Sequence, residues 1–203
     1  MIDAALIEKC ADPSLKPAIV ERFIAEAGSS DPLAVTIISG NRVILVPKPT
    51  TPDEAMALMH QHVGKAIVRV GITQYPAGLG IAELSELSTD LVDACANIRV
   101  GTALFGKVYR IVTKWYGNAV DEAFDDAIYA WKIGYFEGKA IFSEPETGDV
   151  EVAAPTDGQF PPDGNDQPAP ISRDTVRGEV TTGDDPNQAG IRIDLSGIGS
   201  RAP

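Results

Sequence analysis

Residues 97–115 carry the longest apolar repeat in the chain, and it has the period of a helix. Ile98, Thr102, Phe105, Val108 or Tyr109, and Val112 fall on one side at spacings of three and four. Gly117-Asn118 ends the pattern. A stripe that wide must be covered by other elements, so this helix is the expected centre of the core.

The elements around it can be read in order. Ile2 to Cys10 predicts a short helix, broken by Asp12-Pro13-Ser14. Lys16 to Ala27 predicts a second, with Pro17 in its first turn and Gly28 as its stop. Val20, Phe23 and Ala27 share one face with Ile24 beside them, and Glu21, Arg22 and Glu26 look outward. Leu33–Ile38 and Val43–Val46 are β-branched runs joined through Gly40-Asn41, a hairpin signal. Thr51-Pro52-Asp53-Glu54 is a capping box with proline at the first helical position, and its helix ends near His62. Val68 to Gln74 is a short apolar segment closing in a polar turn, and Tyr75 to Gly80 reads as loop. Ile81–Leu87 and Asp90–Cys95 predict short helices. Asp121 to Lys132 predicts the last helix, with Phe124, Ile128 and Trp131 on one stripe and Gly134 closing it.

Composition divides the chain at Ser143. Residues 144–203 hold eight of the fifteen prolines, twelve acids, four arginines and no lysine. Too few large apolar residues remain there to offset the entropy of ordering, so residues 143–203 are expected to be a disordered acidic tail. Ile191-Arg192-Ile193-Asp194-Leu195 is its one strand-like segment. The whole chain has a formal net charge of −12, which argues against a direct nucleic-acid surface. No apolar run approaches the roughly 20 residues of a membrane span. The first ten residues show neither a basic n-region nor an apolar h-region, so no signal peptide is read and the sequence alone implies the cytoplasm.

Four separated pieces then fall into order. They are Asp31-Pro32-Leu33-Ala34 after a helix, and Gly71-Ile72-Thr73-Gln74 entering a loop. Cys95-Ala96-Asn97-Ile98 with Gly101-Thr102-Ala103-Leu104 opens the long helix, and Ala130-Trp131-Lys132-Ile133-Gly134 lies on the last one. In order, spacing and element type they resemble the goose-lysozyme-like lytic transglycosylases, above all the small transglycosylase component of type IV secretion systems. The likeness spans roughly residues 7 to 140. The N-terminal sequence as a whole is similar to the TraH conjugal-transfer proteins of rhizobial and agrobacterial plasmids. These resemblances imply a mainly α (α+β), lysozyme-like helical domain over residues 1–142 with a small β-hairpin. They also imply a cell-envelope or periplasmic setting, and peptidoglycan or secretion and conjugation components as partners.

Glycosidic cleavage needs a carboxylic acid whose pKa is raised by an apolar pocket. In the transglycosylases one Glu acts as acid and then as base. Counting back from Asp31-Pro32 without a gap puts that Glu on Ala27. Glu26 is one residue away, about 100° round the helix. A longer loop would bring Glu26 into register, but Arg22 and Ile19 would then face the core in place of Phe23 and Val20, so periodicity favours Ala27. In the sugar groove, Gln74 matches the family Gln. Thr73 replaces a Met, Trp131 a Tyr and Lys132 an Asn. The expectation is a transglycosylase-like fold that has lost hydrolytic chemistry and binds a glycan or a transfer-apparatus partner. The rival is an active peptidoglycan lytic transglycosylase with Glu26 as the acid.

Other residues carry plainer readings. Glu26 reads most simply as a solvated carboxylate, Gln74 as a loop hydrogen bonder and Trp131 as core. His60 and His62 cannot face one way on a helix, so no metal site is read, and no cofactor is implied. Lys107, Arg110 and Lys114 form a basic stripe that is a solvated face or meets an acidic partner or the chain's own tail. The related secretion-system enzymes have cysteines matching Cys10 and Cys95. The resemblance therefore implies a bridge, which needs an oxidising compartment. Two buried reduced thiols remain the alternative.

Overall fold

The computed structural model describes residues 2–40, 42–146 and 148. In chain order the elements are α1 (Ala4–Cys10), α2 (Pro17–Ala27), β1 (Val35–Ser39), β2 (Arg42–Ile44), α3 (Pro52–His62), β3 (Ile67–Val70), β4 (Tyr75–Pro76), α4 (Ala94–Tyr116), α5 (Asp121–Ile133), β5 (Tyr135–Phe136) and β6 (Lys139–Ala140). This is an α+β arrangement. The tail beyond residue 148, with the 191–195 segment, lies outside the described residues, as does Asn41 of the expected hairpin turn.

The α4 stripe is the centre of the larger core. Ile98, Phe105, Val108, Tyr109 and Val112 are all buried, and α1, α2 and α5 pack on them. Phe23 of α2 stacks on Phe105 with ring centroids 4.0 Å apart, and Trp131 of α5 meets Phe23 edge-on at 5.1 Å. Edge-to-face and offset-stacked rings are the geometries favoured by the aromatic quadrupole. Helix α4 starts three residues earlier than periodicity implies. The Asp93 side chain accepts from the Ala96 N–H and caps it. Gly117 and Gly134 end α4 and α5 in the left-handed conformation.

The sheet is larger than the expected hairpin. Its order is β2-β1-β3-β4, antiparallel throughout. Tyr75 and Pro76, read as loop from sequence, form β4 by pairing with Val70 and Arg69. A two-residue strand has no periodicity to detect, so only its partner reveals it. The short helices expected at 81–87 and 90–95 shrink to 3₁₀ turns at Leu84–Glu86 and Thr89–Val92. At the start of α3, Thr51 Oγ1 accepts from Glu54 N as the capping box requires, and the Glu54 carboxylate reaches back to accept from Thr50 N and Oγ1.

The two faces of the sheet have different tasks. Val35, Val68 and Val70 pack with Ala55 and Met59 of α3 in a second core. Thr36 pairs with Arg69, and period-two alternation sends both to the opposite face, away from α3.

Candidate functional site

The turn Gly71-Ile72-Thr73-Gln74 is where the separated sequence pieces meet. Asn97, fully buried on α4, holds it. The Asn97 Oδ1 accepts from Thr73 N and Thr73 Oγ1, both at 2.9 Å, and its Nδ2 donates to the carbonyls of Val70 at 3.1 Å and Leu91 at 2.9 Å. Gly71 has φ +74, and a Cβ there would stand 2.3 Å from Asn97 Nδ2. Gly101, one turn along α4, leaves room for Thr73: a Cβ there would stand 2.1 Å from Thr73 Oγ1. Two glycines and an asparagine thus let a loop lie directly on a helix. From the other side, Ser29 N, just past α2, donates to Ile72 O at 2.8 Å, and the Trp131 indole N–H donates to Thr73 O at 3.1 Å.

Beside this turn is a cavity of about 140 Å³. Ala27 of α2, Gln74 and the α5 residues Trp131 and Lys132 line it, with Thr36 and Ile38 of β1 and Arg69 of β3. Four of the positions singled out from sequence are therefore brought together. Glu26 is not among them: it is exposed and pairs with Arg22 at 2.8 Å. Arg22 also reaches Asp121 and Asp125 and lies over the Phe124 ring, so Glu26 belongs to a surface ion-pair group between α2 and α5. Thr73 does not line the cavity but is sealed beneath it against Asn97. Trp131 is only 1 % exposed, so it borders the cavity from within the core and offers no open ring face.

Arg69 is the residue that sequence reading passes over. The signal is a lone cation in the apolar run Ile67-Val68-Arg69-Val70. Arg69 is 5 % exposed. Its Nη2 donates to the Trp131 carbonyl at 2.6 Å and the Lys132 carbonyl at 3.0 Å, and Nη1 reaches Gln74 O at 3.4 Å. The α5 carbonyls are the negative end of that helix, so the guanidinium caps it and joins sheet to helix. Burial pushes the Arg69 pKa down to about 10, and among the described residues no ion pair counters it. Gln74 itself sits at φ 51, and its Nε2 donates to Gly71 O at 3.0 Å. Such left-handed backbone is uncommon outside glycine and is held here by the turn.

A disulfide joins Cys10 at the end of α1 to Cys95 in the first turn of α4, across 85 residues of chain. It ties the N-terminus to the helix that carries Asn97. The basic stripe on α4 meets the start of the tail segment: Lys107 donates to Phe142 O at 3.0 Å, and Arg110 pairs with Glu146.

The TraH_2 family model matches residues 1–200. The chain belongs to the TraH_2 family. That membership supports a TraH-type conjugal transfer protein. A protein of Sinorhizobium fredii (strain NBRC 101917 / NGR234), described as "Uncharacterized protein y4dP", is 50% identical over 204 residues, which is 98% of this chain and 99% of that protein. No solved structure matches the chain. No helix among the described residues is long and apolar enough to cross a membrane. This TraH_2 member therefore presents a small lined cavity with a buried cation, at the convergence of α2, the sheet and α5.

Proposed function

We propose that this TraH_2 protein is a non-hydrolytic accessory protein of plasmid conjugation, whose lysozyme-like domain holds a component of the transfer apparatus. One observation carries the reading. The positions aligned by resemblance with a transglycosylase groove, Ala27, Gln74, Trp131 and Lys132, surround one cavity, and no described residue of its lining carries a carboxyl group. General acid catalysis needs that carboxyl within reach of the leaving oxygen. The nearby Glu26 is exposed and paired with Arg22 at 2.8 Å, outside the cavity lining. A cavity of 140 Å³ is also smaller than the 300–1,000 Å³ of most small-molecule sites. The Cys10–Cys95 bridge supports work on the oxidising side of the inner membrane, since such bonds persist outside the reducing cytosol.

The test is muropeptide release from intact peptidoglycan by the oxidised full-length protein and its Glu26→Gln variant, beside conjugation frequency in a strain carrying each. The expected result is no anhydro-muropeptide from either, with plasmid transfer supported equally by both. Release by wild type that disappears in Glu26→Gln would establish an active transglycosylase and refute the proposal.

A further inference from the structure

Arg69 is a buried cation. Among the described residues it forms no ion pair, and all three of its hydrogen bonds go to carbonyl oxygens. The carbonyls at the end of α5 and the Trp131 and Phe142 rings, 5.7 and 5.4 Å from its Cζ, offset part of its desolvation, but none of them carries a formal negative charge, and a guanidinium has five N–H donors. The carbonyl bonds use the two terminal nitrogens, leaving Nε without an acceptor among the described residues. A donor is therefore left for something from outside.

Charge around the site points the same way. The 140 Å³ cavity adjoins a larger apolar groove of about 630 Å³, and Arg69 and Ile38 line both. Among the described residues, Lys65, Arg69 and Lys132 are the charged members of the two linings, and no Asp or Glu occurs in either. This is so in a chain with 29 acids against 17 Lys and Arg. The groove is walled by Ile67, Ile133 and Tyr135, which are 49 %, 42 % and 56 % exposed. Large apolar side chains left that open beside a cationic pocket suit a ligand with an apolar body and one acidic group.

We propose that Arg69 anchors a carboxylate-binding site, and that its occupant is a polypeptide partner placing a carboxylate in the small cavity and apolar residues in the groove. The cavity has room for a carboxylate and its carbon stem. Arg69 Nε–H and Lys132 supply charge-assisted hydrogen bonds to it, stronger than neutral ones. The proposal rests on the binding reading above and names the chemistry of the partner. Ala27 has a specific place in it. A longer residue there would fill the cavity, and an acidic one would supply Arg69 with a carboxylate from the chain itself.

The experiment is a titration of the ¹⁵N-labelled full-length oxidised protein followed by NMR. The probes are an N-acetylated apolar tripeptide with a free C-terminal carboxylate, the same peptide amidated, and acetate. The free-carboxylate peptide is expected to shift the Arg69 Nε–H and Gln74 side-chain resonances, with the amide about tenfold weaker or worse, as loss of a charge-assisted bond requires. Acetate moves the same resonances at higher concentration if the carboxylate is the anchor. Lys132→Ala, at an exposed position, weakens the peptide roughly threefold to tenfold. Ala27→Glu abolishes the response in a protein that remains folded. Equal binding of both peptides, no response to either, or an unchanged response in folded Ala27→Glu would overturn the proposal. Muropeptide release is read separately: release with a carboxylate response removes the non-hydrolytic reading and keeps the site, whereas neither release nor response removes the site alone.

Discussion

Replacing Asn97 with alanine should unfasten the turn on which the cavity is built. The side chain makes four hydrogen bonds, two accepted from Thr73 and two donated to the carbonyls of Val70 and Leu91, all in a fully buried setting. Each such bond is worth about 1 kcal/mol net, and a buried group left without a partner costs about 1–3 kcal/mol. Both Val70 O and Leu91 O keep a second lone pair, and water entering the vacated space recovers some of the loss, so the expected destabilisation is about 3–5 kcal/mol. Urea unfolding of the oxidised full-length protein, followed by far-ultraviolet circular dichroism, reads it as a lower midpoint at unchanged slope. Asn97→Asp sharpens the test. It keeps the acceptor toward Thr73 but turns a carboxylate oxygen on the Val70 and Leu91 carbonyls. Burial and those carbonyls raise the folded-state pKa of the new carboxyl above its unfolded value. The penalty is then fully present above the folded pKa and fades as pH falls to the unfolded one. The gap to wild type should therefore narrow on acidification. A loss below about 1 kcal/mol in Asn97→Ala would refute the view that this asparagine holds the turn.

Other perturbations test neighbouring links. Reduction, or Cys10→Ser with Cys95→Ser, opens a loop spanning 85 residues and should lower stability by about 4–5 kcal/mol in the chain-entropy model, read as a urea midpoint that falls with added reductant. Gly101→Ala places a Cβ within 2.1 Å of Thr73 Oγ1 and 2.4 Å of Thr73 Cβ, so the whole residue must move. The cost should be about 1–3 kcal/mol, and thermal denaturation should find only partial relief on adding Thr73→Ala, which removes Oγ1 and Cγ2 but retains the Cβ 2.4 Å away. The Asp31 carboxyl is held below its ordinary range by the Leu33 backbone N–H and then by Lys48. Its contribution is complete above the unfolded aspartate pKa and disappears as pH falls through the folded one, so the stability gap between wild type and Asp31→Asn should close on acidification.

Several features are legible in the order of residues alone. The α4 stripe, the α2 face carrying Val20 and Phe23, and helix ends at Gly28, Gly117 and Gly134 follow from period and glycine placement. Periodicity puts Ala27, rather than Glu26, on the inward side of α2, and the side chains agree: Ala27 lines the cavity and Glu26 is in the surface ion-pair group. The motifs around Thr73 and Trp131 point to a groove, yet both residues are buried, because Asn97 and the aromatic core claim them first.

What the sequence determined by itself is local: which residues form helices, which face of each is apolar, and where each stops. These depend on neighbours three or four residues apart, and the period of 3.6 exposes them. The surroundings of Arg69 and the cavity beside it arise only on packing. Alternation along β3 sends Arg69 opposite to Val68 and Val70, but two of its three carbonyl partners are 62 and 63 residues away on α5. The walls come from α2, β1, β3, the 71–74 turn and α5. No local pattern encodes an enclosure made by separate segments, because its chemistry exists only once packing has removed the water between them.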